Sequence, residues 1–164
     1  MATKAIPDGY ATATPYLIVK GASDAIEFYK RAFGATELFR MADPSGGVMH
    51  AEIKIGNSVI MLADEHPSMG YLGPRARGGS SVSIMLYVPD VDDVFKRAVA
   101  AGAKSQRAVE NQFYGDRSGT LEDPFGHVWT ISTHVEDVPA EEMQKRMEAV
   151  MKSRSAAQPS KQAH

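Results

Sequence analysis

IEFYKRAFGA at residues 26–35 is answered by VFKRAVAAGA at residues 94–103, and each stretch follows an apolar run that ends in valine, Val19 in the first half and Val88 in the second. A strand–helix text that occurs twice in order reads as a duplicated module. Around the first copy, Ser23 is the expected helix cap, Ile26, Tyr29 and Phe33 recur at helical spacing, and Gly34 supplies the left-handed stop. Around the second, Asp90 caps, Val91, Val94 and Ala98 share one side, and Gly102 ends the helix.

Working outward, strand-like runs occupy residues 12–20, 37–41, 48–55 and 58–63 in the first half, separated by the turn residues of DPSGG and by GN. The second half offers 82–88, 104–110, 119–122 and 128–133, with DPFG as its last hairpin turn. Each half reads β-α-β-β-β. The fold class is therefore α+β: two βαβββ modules forming curved mixed sheets with the helices on the outer face. The Gly-, Pro- and Ser-rich stretch HPSMGYLGPRARGGSS at residues 66–81 carries no apolar period and marks the boundary between the halves. The expected organisation is one domain over 12–137, made of modules 12–65 and 81–137, then a C-terminal helix over 138–153 and a disordered tail over 154–164. That helix has Glu141 and Glu142 early, Lys145, Arg146 and Lys152 late, and a Met143, Met147, Val150 stripe expected to dock on the body or on a partner.

With 164 residues, 43% hydrophobic and 23% charged, the chain has the composition of a globular protein of single-domain size. A formal net charge of -2 gives no basic surface for nucleic acid or anionic membrane, so a small molecule is the expected partner. No apolar run reaches membrane-spanning length, and the opening MATKAIPDGYATATPYLIV lacks the basic-then-apolar order of a secretory signal. The absence of cysteine excludes disulfides, thiolate nucleophiles and thiolate-bound zinc; the expected compartment is the cytoplasm.

Strand alternation sorts the side chains. Leu17 and Val19, Met49, Ala51, Ile53 and Ile55, Ile60 and Leu62, Ile84, Leu86 and Val88, and Trp129 and Ile131 make an apolar side that belongs under the helices. The opposite side is mixed: Thr14 and Tyr16, His50, Glu52 and Lys54, Val59 and Met61, Ser83, Met85 and Tyr87, Thr130 and Ser132. Such a face, if curved, is a ligand cup. His50 and Glu52 share it and are either metal ligands, an acid–base pair or a solvated strand face. Asp64, Glu65 and His66 read as surface charge, His127 as turn chemistry, and His134 and Glu136 as residues past the last strand. In FYGDRSG, Arg117 either holds an anionic ligand on the cup wall, with Tyr114 and Tyr16 as neighbours, or forms a structural pair with Asp116. Adjacent strand residues point to opposite faces, which frees Arg117 for a ligand.

The texts TPYLIVKGASDAIEFYKRAFGA, HAEIKIGNSVIMLADE and FYGDRSGTLEDPFGHVWTISTHVED resemble the vicinal-oxygen-chelate superfamily of glyoxalases, bleomycin-resistance proteins and extradiol dioxygenases, in particular its PhnB-like branch. The resemblance covers about residues 12–137. It implies the two-module fold and, in metal-dependent members, one ligand on the first and one on the last strand of each module, His, Glu or Gln. Those positions here hold Thr14, Met61, Ser83 and Thr130, which are poor ligands for a divalent ion. The resemblance thus implies a small-molecule-binding protein with no metal or other cofactor at the usual positions. A divalent metal at an alternative site near His50 and Glu52, serving a lyase, isomerase or transferase, is the rival reading. Relatives complete their cups by pairing modules, so a homodimer is expected.

Overall fold

In the computed structural model, residues 3–157 are described. The first module runs β1 (Tyr16–Val19), α1 (Ala22–Phe33), β2 (Thr36–Ala42), β3 (Val48–Ile55) and β4 (Ser58–Asp64); the second runs β5 (Ser83–Tyr87), α2 (Val91–Ala100), β6 (Lys104–Asn111), β7 (Asp116–Glu122) and β8 (Val128–His134). Each forms a four-stranded sheet, ordered β1-β4-β3-β2 and β5-β8-β7-β6, with the first and last strands of each module parallel and the rest antiparallel. This is the α+β architecture of two βαβββ modules.

The apolar side of the strands becomes the core. Leu17, Val19, Ala51, Ile53, Ile60, Leu62, Leu86, Trp129 and Ile131 are all buried, in one cluster with the inner faces of both helices. The halves meet through α1: Phe33 packs on Trp129 with ring centroids 4.9 Å apart, and Phe28 meets Phe125 at 6.2 Å. Aromatic pairs of this kind add about 0.5–1.5 kcal/mol beyond the area they bury. The Tyr29 hydroxyl donates to Asp123 across the same seam at 2.7 Å.

Several local expectations are corrected. Met49 does not join the apolar side: Met41 faces His50 and Ala42 faces Val48 across the β2–β3 ladder, so Met49 sits unpaired in a β-bulge and is half-exposed on the mixed side. The cap of α1 is Gly21, not Ser23; Gly21 has φ +92°, a left-handed conformation, and the helix amides are served from a distance by Asp64. β1 starts at Tyr16 rather than at residue 12, and β7 starts at Asp116 rather than at residue 119. The linker contains one short 3-10 turn, Pro67–Met69, and Arg77 ties it together by donating to the Gly70 and Leu72 carbonyls.

The C-terminal helix α3 spans Ala140–Ala157, so residues 154–157 extend the helix where a disordered tail was expected; the remainder of that tail lies outside the described residues. Arg146 anchors α3 by clamping Glu136 through both terminal nitrogens at 2.8 Å. The Met143, Met147, Val150 stripe is half-buried, yet among the described residues α3 packs extensively on no other helix or strand of the chain. No described helix is long and apolar enough to cross a membrane.

Candidate functional site

The mixed sheet faces carry polar clusters and cavities. On the first module, β3 places His50 and Glu52 on the same side, and β1 brings Tyr16 alongside, since Tyr16 and Glu52 both face Met61 in register. The Tyr16 hydroxyl lies 2.8 Å from His50 Nδ1, and His50 Nε2 lies 3.1 Å from Glu52 Oε1. The tautomer that satisfies both contacts carries its proton on Nε2, leaving Nδ1 to accept from Tyr16. Glu52 Oε2 accepts a further hydrogen bond from Tyr10. The hydroxyl of Tyr10, then the His50 imidazole, hold the Glu52 carboxyl below the usual carboxylate range, against the opposing effect of burial. Burial, with Tyr71 and Glu52 nearby, pushes the Tyr16 hydroxyl up.

Beside this chain, a cavity of about 510 Å³ opens between the C-terminal ends of β1 and β4 and the turn that follows. Its walls are Tyr16, Ile18, Met49, Ala63, His66, Met69 and Tyr71. Asp64 also reaches it, but both carboxylate oxygens are engaged by the Gly21, Ala22 and Val48 amides. A second, more open cleft of about 640 Å³ separates the two sheets at their β1 and β5 edges and is lined by Thr14, Tyr16, Ser83 and His127 among others.

On the second module, Asp116 is only 4% exposed. It accepts from Tyr87 at 2.9 Å, from Ser132 at 3.1 Å and from His134 Nδ1 at 2.8 Å, while His134 Nε2 reaches Asp137 at 2.9 Å. Burial alone would raise the Asp116 carboxyl; the bonds from His134, Tyr87 and Ser132 outweigh it and leave the group below its ordinary value. Hydrogen bonds to Asp116 and then Asp137 raise His134 above the ordinary 6.5. The His134 contribution to stability is thus complete below pH 6.5 and lost as pH rises through the raised folded value. That of Asp116 is complete above pH 3.8 and lost as pH falls through its lowered folded value. The melting temperature is expected to fall as pH rises above 6.5, through the raised folded value of His134, and the fall to be shallower in His134→Gln. Equal slopes in the two proteins would assign the decline to other groups.

Of the sequence candidates, Tyr16, His50, Glu52 and Met61 come together on the first module. Ser83 and Thr130 come together on the second, hydroxyls 3.3 Å apart, with Thr120 3.3 Å from Thr130. Thr14 lines the inter-sheet cleft. Tyr114 sits at the β6–β7 turn, stacked edge-on with Phe113 and close enough to Tyr87 to influence its ionisation. Arg117 is the correction: it leaves the mixed face and forms a two-pronged ion pair with Asp92 of α2, 2.7 Å at each contact, plus a bond to Asn111. The expected alternation was right, but it is Asp116 that faces the cup and Arg117 that faces the helix. Sequence reading missed Tyr10, which lies ahead of the first expected strand, and Met69 and Tyr71, which lie in the linker; for the latter two, an aromatic and a methionine in an otherwise Gly-, Pro- and Ser-rich stretch were the available signal. Tyr87 was on the expected face without a role, and His134 lay beyond the expected end of its strand.

The four positions at which metal-dependent relatives carry ligands do not fit a divalent ion here. Thr14 and Met61 offer no anionic or imidazole donor, and Ser83 and Thr130 offer only neutral hydroxyls, 3.3 Å apart. His50 and Glu52 have their donor atoms committed within the hydrogen-bonded chain, and no group of three or more His, Asp or Glu able to hold an ion occurs among the described residues.

The fold has counterparts among known proteins. Residues 10–131 match the model of the Glyoxalase/Bleomycin resistance protein/Dioxygenase superfamily. A protein of Mycobacterium bovis is 42% identical over 137 residues, 82% of this chain and 90% of its own length. The crystal structure of an Arabidopsis thaliana gene product aligns with TM-score 0.61 at 28% identity, over 75% of this chain and 98% of that one. The PhnB protein of Bacillus cereus shares the fold at TM-score 0.60 and 18% identity, over 75% of this chain and 99% of that one.

Proposed function

The chain belongs to the Glyoxalase/Bleomycin resistance protein/Dioxygenase superfamily, and we propose that it acts there as a PhnB-like small-molecule-binding protein that does not use the metal positions of the superfamily's metal-dependent members. The observation that carries this reading is the cavity of about 510 Å³ whose walls are Tyr16, Ile18, Met49, Ala63, Met69 and Tyr71, with His66 and the engaged Asp64 as its further polar groups. Its volume is that of a drug-sized ligand pocket, and apolar walls with few polar groups are the usual composition of one. Methionines adapt to ring-shaped ligands and make favourable sulfur–aromatic contacts, and Tyr16 and Tyr71 offer flat surfaces. The occupant is a largely apolar, ring-bearing molecule. With Arg117 turned away, no acidic group is required of it.

The test is titration with a neutral naphthalene fluorophore, read by fluorescence and by calorimetry. Met49→Arg places a charge in the cavity from a half-exposed bulge position that tolerates it, and it is expected to weaken binding at least about tenfold, a cost near 1.4 kcal/mol. Its melting temperature without ligand should match that of the parent. Unchanged affinity, or no binding to either protein, refutes the reading. Half-exposed Phe39 and Met41 on the mixed face of β2 support a further proposal, that two copies pair. Light scattering on the ligand-free protein is expected to return twice the chain mass, and the single-chain mass would refute it.

A further inference from the structure

We propose that the Tyr16–His50–Glu52 chain, buttressed by Tyr10, is a proton relay that takes up the proton of a phenol or enol bound in the adjoining cavity; the inference rests on that cavity being a ligand site. Tyr16 is the hinge of the argument, because it belongs both to the cavity wall and to the hydrogen-bonded chain. Its proton points inward to His50 Nδ1, which leaves the oxygen lone pairs facing the cavity. His50 cannot turn to face a ligand without giving up Tyr16 or Glu52, so the group presented is the Tyr16 hydroxyl with imidazole and carboxylate aligned behind it.

The transfer balances. As the ligand O–H gives its proton to Tyr16 Oη, the Tyr16 proton passes to His50 Nδ1. The electron pair of the ligand O–H bond stays on the ligand oxygen. The products are an imidazolium held by the Glu52 carboxylate and a ligand oxyanion that accepts a hydrogen bond from the re-formed Tyr16 hydroxyl. No tyrosinate accumulates, which fits a hydroxyl that burial disfavours ionising. The side chains of His50 and Glu52 are 24% and 15% exposed, so the imidazolium and its carboxylate partner are partly shielded from water.

The surroundings select the ligand class. A carboxylate or phosphonate arrives already ionised and needs a fixed cation. Arg40 and Arg117 are turned to the helix side, onto Glu37 and Asp92, and Lys54 lies at the far end of β3, opposite Val59; the cavity wall carries no lysine or arginine, and His66 is its one basic side chain. A weakly acidic hydroxyl brings its own proton, and the relay supplies the matching positive charge only when that proton moves. The titratable groups facing His50 and Tyr16 are Glu52 on β3, Tyr10 on the leading segment, and Tyr71 and His66 on the turn after β4; β2 contributes Phe39 and β4 contributes Met61, neither of them charged.

The experiment uses para-nitrophenol, whose phenolate absorbs in the visible, together with the neutral fluorophore. In the parent protein the bound nitrophenol is expected to ionise at a pH about one unit below that of the free compound, a tenfold shift in its ionisation constant. His50→Gln keeps the hydrogen-bonding reach but cannot hold the proton; it should bind the fluorophore and the protonated nitrophenol within about threefold of the parent, bind the nitrophenolate about tenfold more weakly, and so lose the ionisation shift. Tyr16→Phe should lose the shift as well. Nitrophenol bound with its solution ionisation, or with the same shift in His50→Gln, overturns the relay and leaves the cavity reading standing. Nitrophenol excluded while the fluorophore binds overturns the ligand class, and failure of both probes to bind overturns the relay together with the reading on which it rests.

Discussion

Asp123→Ala is expected to destabilise the fold by about 3–5 kcal/mol, a large share of the 5–15 kcal/mol that holds a domain of this kind together. Asp123 is 1% exposed and sits in the β7–β8 hairpin with both oxygens in use. Oδ1 accepts from the Phe125 and His127 amides, 2.9 Å each; Oδ2 accepts from Tyr29 at 2.7 Å and from Trp129 Nε1 at 2.8 Å. Truncation strands two buried side-chain donors at the seam between the modules, and Tyr29 and Trp129 are themselves fully buried, with no water to turn to. Asp43 offers an internal control. It occupies the DPSGG turn between β2 and β3 of the first module and accepts from the Ser45 and Gly47 amides in the same way, but none of its bonds reaches the core. Asp43→Ala should therefore shift the melting temperature far less. Denaturant titration of the variants measures the difference, and a loss below about 1 kcal/mol for Asp123→Ala would show that Tyr29 and Trp129 find other partners.

That pair of turns shows what the sequence made legible. DPSGG and DPFG were readable as turns because Asp, Pro and Gly impose local backbone geometry. Nothing local says that the second oxygen of Asp123 enters the core. The module repeat, the helix faces and the strand order followed from periodicity, which is a property of each segment alone. The polar networks did not, because they join segments far apart in the chain: Tyr10 with Glu52, Tyr16 with His50, Tyr87 with Asp116. Arg117 lies between these cases. Reading the strand only over residues 119–122 hid that Arg117 shares the parity of Leu121, whose burial against the core fixes that side as the helix side. Extending the alternation by three residues would have placed Asp116 in the cup and Arg117 under α2. Met49 could not have been placed in this way, since a one-residue bulge reverses the parity and leaves no mark in composition.

Asp64→Ala is expected to cost about 2–4 kcal/mol, although the residue stands in a run that reads as surface charge. Its Oδ1 accepts from the Gly21 amide at 2.9 Å and the Ala22 amide at 2.7 Å, and its Oδ2 accepts from the Val48 amide at 2.7 Å. One carboxylate at the end of β4 thus caps α1 and pins the start of β3. The first helical amides need an acceptor, and Gly21 has no side chain to supply one. A capping serine at that position would have to adopt φ +92°, so the helix cannot easily replace Asp64 from within its own sequence. The negative charge also complements the positive end of the helix dipole. Hydrogen exchange resolves the effect residue by residue: in Asp64→Ala, protection at Gly21, Ala22 and Val48 should fall at least about tenfold more than at the β6–β7 ladder, which Asp64 does not touch. Asp64→Asn keeps one accepting oxygen and should retain protection either at the α1 amides or at Val48, not at both. Uniform loss across all these amides would mean that Asp64 acts on global stability alone, and unchanged protection would mean that the helix start is held by packing of Ala22, Ala25 and Ile26 without it.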